Sequence, residues 1–139
     1  TGIVLSNDGG ALAEFKKPLK FGIASILGGG NQITSWIHID DICRMYLFAI
    51  ENNINGIYNA VAPHPVTNKH LTLTLAKATK GNAFVPMHVP AFVLKIMLGE
   101  MSVEVLKSAN VSVAKFQHTG FQFAYPTIEA ALKELAFQK

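Results

Sequence analysis

Apolar and polar positions alternate along this chain in short blocks whose spacing switches between the period of strands and that of helices. Gly2-Ile3-Val4-Leu5 is rich in β-branched residues and closes in the turn-prone Ser6-Asn7-Asp8-Gly9-Gly10, which predicts a buried strand. A strand buried on both faces needs neighbours on each side, so a pairing segment upstream is expected. Residues 11–17 predict a short helix that ends near Pro18, because the residue before a proline is steered out of helical geometry. Residues 22–30, with glycines at both ends, read as a mobile loop, and a short strand is expected over residues 34–37.

The strongest helical pattern follows. Ile39, Ile42, Cys43, Tyr46, Leu47 and Ile50 share one face, and Asp40 and Asp41 stand at the start, where the helix dipole favours carboxylates. Asp40 and Arg44 are spaced to pair on the opposite face. Residues 53–56 end this helix, residues 57–61 predict a strand, and Pro63 and Pro65 mark a turn. Thr67 or Asn68 caps a helix that runs to about Thr79 and stops at Gly81. Residues 84–88 predict a strand, and Pro90 and Gly99 frame a nearly all-apolar helix that must be buried or form an interface. Another short helix is expected over residues 103–108, and a last one capped by Thr127 with inner face Ile128, Ala131, Leu132 and Leu135. Strand, helix and strand in succession define an α/β layer.

Composition narrows the function. The 139 residues suit one packed unit, yet half are hydrophobic and only 15% charged, which suggests surface meant to pack against something else. The net charge of +3 is scattered, and Lys16, Lys17 and Lys20 read as solvated helix lysines, so neither nucleic acid nor a membrane is expected as a partner. The longest apolar stretch, residues 89–98, is broken by Lys95 and too short to span a bilayer. Cys43, the single cysteine, reads as a buried thiol, and a chain without a possible internal disulfide fits a reducing, cytoplasmic compartment. His38, His64, His70, His88 and His118 form no helix-spaced pair with a carboxylate, which argues against a metal site, and the nucleophile elbow of a hydrolase is absent.

Four stretches resemble a known family. They are Gly2-Ile3-Val4-Leu5-Ser6 with Gly9-Gly10-Ala11-Leu12; Ser35-Trp36-Ile37-His38-Ile39-Asp40-Asp41; Tyr58-Asn59 with Ala62-Pro63-His64-Pro65-Val66-Thr67-Asn68; and Gly120-Phe121-Gln122-Phe123-Ala124-Tyr125-Pro126 with Ala130-Ala131-Leu132. The chain is similar to the C-terminal portion of atypical extended short-chain dehydrogenases/reductases, the sugar-nucleotide epimerase-like proteins with a C-terminal domain of unknown function. The resemblance implies an α/β fold: the late part of a Rossmann-like domain with an incomplete parallel sheet, and a small helical substrate domain. Residues 1–81 would supply the late strands and helices, and residues 82–139 the small C-terminal domain, packed as one unit.

The same resemblance defines what the chain lacks. A dinucleotide site of this type needs Gly-x-Gly-x-x-Gly, so that backbone amides at a helix N-terminus face the pyrophosphate; counting from Gly28 and Gly30, the third glycine would fall at Ile33. The family's catalytic tyrosine has a lysine four residues on, whereas Tyr46, Tyr58 and Tyr125 are followed at that spacing by Ile50, Ala62 and Glu129. No catalytic or cofactor-binding residue is therefore assigned. NAD or NADP is expected in the full-length protein and no cofactor for this chain alone.

What remains would shape a substrate pocket, with Ser6, Asn7, Asn31, Gln32, Ser35, Trp36 and His38 as candidate substrate-binding residues. Trp36 is able to stack on a ring or pack in the core, and His38 to order the start of the next helix. Thr34 stands where related epimerases carry a diphosphate-holding arginine, and a hydroxyl does not replace a bidentate guanidinium. The implied partners are an N-terminal Rossmann segment, a small-molecule substrate and a second copy of the chain. The competing reading is a non-catalytic interaction or self-association module that uses the residue 91–98 helix and an open strand edge.

Overall fold

A strand three residues long is too short to hold a sheet together alone, so its neighbours and faces decide its stability. The computed structural model describes residues 1–137, with the side chains of Met97, Leu98, Met101, Glu104 and Val105 left out. Its elements are β1 (Ile3–Leu5), α1 (Ala11–Leu19), β2 (Ile23–Leu27), β3 (Ile33–Thr34), β4 (Trp36–His38), α2 (Ile39–Glu51), β5 (Val66–Thr67), α3 (Asn68–Lys80), β6 (Val85–Val89), α4 (Ala91–Leu98), α5 (Met101–Leu106), α6 (Ala114–Gln117) and α7 (Ile128–Phe137). β1 runs parallel to β4 with Ile3 opposite Trp36 and Leu5 opposite His38. β2 runs parallel to β6, from Ile23 opposite Val85 to Leu27 opposite Val89, while β3 and β5 pair antiparallel.

Both faces of the β1–β4 pair are covered. On one side Leu5 and Trp36 pack with Leu12, Leu71, Leu75, Ile128 and Leu132 from α1, α3 and α7. On the other, Ile37 packs with Ile42 and Met45 of α2, Phe116 of α6 and Phe121. The result is the α/β architecture the sequence implied. Late elements complete early layers, since β6 pairs with β2 and Ile128 and Leu132 of α7 share the core with Leu71 and Leu75 of α3.

Several expectations need correction. Residues 23–27 form β2, not a mobile loop: the flanking glycines take left-handed turns (φ 75° at Gly22, 58° at Gly28), while the apolar run between them pairs along β6. Pro18 lies inside α1 because it falls in the last turn, where the helix loses one hydrogen bond and tightens through Lys20 N–H to Lys17 and Phe21 N–H to Pro18. The expected strand over residues 34–37 is divided at Ser35 between β3 and β4. Residues 57–61 form no strand; Ala60 accepts from the Gly2 N–H and the Ala62 N–H donates to Trp36, so this segment crosses the sheet without running along it.

The face of α2 is also rotated from the expected one. Asp41, Ile42 and Met45 are buried, whereas Cys43, Tyr46, Leu47 and Ile50 face outward. Cys43 is an exposed thiol, and Arg44 pairs with Asp41 at 2.7 Å in place of Asp40. α4 buries Leu94 and leaves Phe92 and Ile96 exposed, so it is not a core helix.

Candidate functional site

The carboxyl ends of β1 and β4 lie side by side, where ligands of open α/β sheets bind. Beyond β1, Ser6 Oγ accepts from the Asp8 N–H at 3.1 Å and holds the turn into α1. The next side chain, Asn7, donates from Nδ2 to the Leu135 carbonyl of α7 at 2.9 Å, and Lys16 of α1 donates to both Asn7 Oδ1 (2.5 Å) and Leu135 (3.2 Å). Lys16 is therefore a half-buried cation at the C-terminal end of α7, where the last carbonyls lack helical partners. It is not a solvated surface lysine, and burial lowers its pKa below the ordinary lysine value.

At the end of β4, His38 caps α2. Its Nδ1 accepts from the Asp40 N–H at 3.1 Å, which places the ring proton on Nε2, 3.0 Å from Glu134 of α7. The ring is buried and stacks on Tyr125 at 4.0 Å between centroids. Asp41 does not cap the helix. Its carboxylate, fully buried, accepts from the Ala124 and Tyr125 N–H groups at 2.8 Å each and from Arg44, tying residues 124–125 to α2. Arg44 reaches on to the Gln122 carbonyl and lies over the Phe121 ring.

Ser6, Asn7 and His38 are thus brought to one place, braced by Lys16, Glu134, Leu135 and Tyr125. Asn31, Gln32, Ser35 and Trp36 do not join them. Asn31 is exposed, and Gln32 donates to the Leu27 carbonyl. Ser35 Oγ donates to Ala109 at 2.7 Å and accepts from the Val111 N–H, strapping that segment to the strand edge. Trp36 has no exposed surface and donates its indole N–H to His64. Two surface depressions are lined elsewhere: one of about 400 Å³ by residues including His64, Gln117, Phe121 and Gln122, and one of about 210 Å³ by Thr1, α2 and residues 54–60.

The Gly28–Gly30 turn runs into β3 and not into a helix, so no helix N-terminus follows it. Burial first, then the carboxylates of Glu134, Asp40 and Asp41, raises the Tyr125 pKa, opposite to what proton abstraction near neutral pH requires. Lys115 lies over the ring of Tyr58, 4.4 Å from its centroid, and donates to the Ile57 carbonyl. Among the described residues no group of three His, Cys, Asp or Glu can hold a metal, and no helix is long and apolar enough to cross a membrane.

Sequence reasoning missed Lys16, Glu134, Tyr125 and the role of Asp41. Glu134 carried a signal, because it borders the apolar face of α7 beside Leu135. Asp41 carried none for its role, since its two backbone partners are more than eighty residues away.

Comparison with known proteins agrees with this architecture. Residues 89–135 match the family described as a domain of unknown function, DUF1731. An epimerase family protein of Staphylococcus aureus (strain MRSA252) is 40% identical over 141 residues, covering 96% of this chain and 44% of the relative. The crystal structure of the human epimerase family protein SDR39U1 (isoform 2) with NADPH superposes with a TM-score of 0.90 at 33% identity, over 99% of this chain and 47% of that one. A nucleoside-diphosphate sugar epimerase from Corynebacterium glutamicum gives a TM-score of 0.69 at 30% identity, over 98% and 25%. The chain thus has the fold of the C-terminal part of Rossmann-like short-chain dehydrogenases/reductases of the epimerase type. It is similar to the C-terminal part of the epimerase family proteins, and its residues 89–135 match the domain of unknown function. It spans less than half the length of the relative from Staphylococcus aureus.

Proposed function

We propose that the chain is the substrate-side half of an NAD(P)-dependent oxidoreductase or epimerase acting on a sugar-like or other small molecule, and is not a complete catalyst by itself. The observation that carries this reading is β1: a strand covered on both faces, paired on one edge with β4, and without a second strand partner among the described residues. Parallel strands of this kind sit inside sheets. A preceding Rossmann segment of the family protein would pair there and supply the dinucleotide site and the acid/base tyrosine. A nicotinamide cofactor would supply hydride transfer.

Ser6, Asn7 and His38 would border the substrate crevice. Asn31, Gln32, Ser35 and Trp36 would act from the β3–β4 side, Trp36 by fixing the wall and not by stacking, since its ring is enclosed. Thr34, paired with Val66 in the β3–β5 ladder, offers no cation for a diphosphate, which favours a substrate without one. A cytoplasmic location fits the single unpaired cysteine.

The test is NADPH binding, followed by fluorescence and thermal shift, for this chain and for the family protein that contains it. The longer protein should bind and gain stability, and the chain alone should do neither. Binding by the chain alone, or its absence in the longer protein, would overturn the proposal.

A second reading, self-association, is favoured by α4, where Phe92 and Ile96 are 66% and 81% exposed. Pairing through β6 is disfavoured, because Pro86 points its nitrogen away from β2 and has no N–H to offer a new strand. Light scattering should give a dimer or larger mass that falls to a monomer when Ile96 is replaced by Glu; a monomeric parent chain would rule this reading out.

A further inference from the structure

Charge along this chain is unevenly placed. Residues 15–39 and 52–99 contain seven of the twelve basic residues and none of the nine carboxylates. Folding brings part of this basic set together. β2 and β6 start side by side, Val85 N–H donating to Gly22 and Ala83 N–H to Lys80, so the C-terminal ends of α1 and α3 meet at one end of the molecule. Lys20, Lys77 and Lys80 are exposed there and form no ion pair among the described residues, whereas Lys17 is taken by Glu14. Phe21, 84% exposed, and Val85, 67% exposed, stand among them.

Lysines in the last turn complement a helix dipole, which accounts for Lys77 and Lys80 singly. It does not account for a protruding aromatic ring beside them. Phe21 lines neither of the surface depressions described above. An exposed apolar ring at an end of the fold that also carries exposed cations suits a soft anionic surface into which the ring sinks, whereas a protein partner would have to offer a pocket.

We propose that this end of the fold docks on an anionic lipid membrane, with Phe21 inserted at the headgroup boundary and Lys20, Lys77 and Lys80 against the phosphates. Docking of this kind needs no spanning helix, and none is long and apolar enough to cross a membrane among the described residues. The patch lies at the far end of α1 from Ser6 and Asn7, about 14 Å along the helix axis, so docking leaves the crevice open.

The experiment is sedimentation of the full family protein containing this chain with phosphatidylcholine vesicles and with vesicles that also contain phosphatidylglycerol. Binding should require the anionic lipid, weaken with salt, fall roughly fivefold for each of Lys20→Gln and Lys77→Gln, and fall again in Phe21→Ala. These positions are exposed, so unchanged thermal melting checks that the variants fold. Equal partition onto both vesicles, no binding to either, or insensitivity to the lysine variants would overturn the proposal. So would charge-dependent binding to polyglutamate without binding to vesicles, which would assign the patch to an acidic protein.

Discussion

His38 of β4 and Glu134 of α7 meet at 3.0 Å, although 96 residues separate them, and the histidine is almost wholly buried while the carboxylate is about a fifth exposed. The contact joins the end of the parallel strand pair to the last helix. The same ring accepts from the Asp40 N–H, so one side chain both starts α2 and holds α7.

From this double role a ranking of substitutions follows. His38→Ala removes the cap, the bond to Glu134 and the stacking on Tyr125, and should cost about 3 kcal/mol. Glu134→Gln keeps an acceptor for Nε2–H and should cost below about 1 kcal/mol. Urea denaturation of the two variants checks the order, and equal losses would contradict the assigned proton position.

Asp41 should be less forgiving. Its buried carboxylate accepts from two backbone N–H groups and from Arg44, so Asp41→Ala leaves three donors without their acceptor. A loss of about 3–5 kcal/mol is expected, against about 1–3 for Asp41→Asn, which keeps one oxygen. Thermal melting of both variants provides the measurement. A loss below about 1 kcal/mol in the alanine variant would mean that residues 124–125 are held by packing and not by this carboxylate.

How far such features were legible in the sequence depends on how local their causes are. The α7 face was readable because Ile128, Ala131, Leu132 and Leu135 recur at helical spacing and polar residues flank them. On α2 apolar residues surround nearly the whole helix, so periodicity alone could not choose a side. The side was chosen by Ala124 and Tyr125, which anchor Asp41 from far along the chain. The glycines around β2 are genuine turn signals, and only its partner β6 shows that the run between them is a strand. Of the candidate site, Ser6 and Asn7 are legible as the turn after β1 and His38 through the resemblance of its segment, while the groups that brace them come from α1 and α7.

Stability should respond to pH at both extremes. On the acid side, the Glu129 carboxyl is held below its ordinary value of 4.5, first by its own backbone N–H at the start of α7 and further by His70, 2.7 Å away. A depressed folded pKa contributes stability that is present above the ordinary value and lost as pH falls through the folded one. The pair is exposed, so the effect is small. Glu129→Gln should lower the melting temperature slightly near neutrality and flatten the acid limb of the profile below that ordinary value, so that variant and parent converge in acid. An unchanged acid limb would remove Glu129 as its source.

On the alkaline side, the raised Tyr125 pKa means that the folded state keeps the phenol proton beyond its ordinary value of 10.0. The associated stability is complete below that value and is lost as pH climbs toward the folded pKa. Lys16 has the opposite sign: its lowered pKa leaves a penalty for the buried charge that fades as pH rises toward the ordinary lysine value. Tyr125→Phe should therefore retain more of its neutral-pH stability above that phenol value than the parent chain does, read as the difference between two alkaline melting profiles. A parallel decline of both would place the alkaline loss elsewhere.

A tight backbone demand falls at Gly2, where the chain enters β1. A Cβ built there would lie 2.7 Å from the Ser35 carbonyl oxygen and 2.9 Å from Val61 Cγ1. The first of these neighbours is backbone whose oxygen accepts the Ile3 N–H, so it cannot withdraw without opening the β1–β4 ladder. Gly2→Ala should thus cost about 2–3 kcal/mol by overpacking, although alanine is the smallest possible addition. Gly99→Ala is the matched control for backbone conformation, since among the described residues nothing lies within 4 Å of a Cβ built there and its φ is 56°. Its cost should be about 1 kcal/mol and should come entirely from the left-handed backbone. Hydrogen exchange distinguishes the two: Gly2→Ala should speed exchange across residues 3–5 and 36–38, and Gly99→Ala only around the end of α4. Fast exchange confined to α4 in both variants would show that the β1–β4 ladder tolerates a methyl group at its entrance.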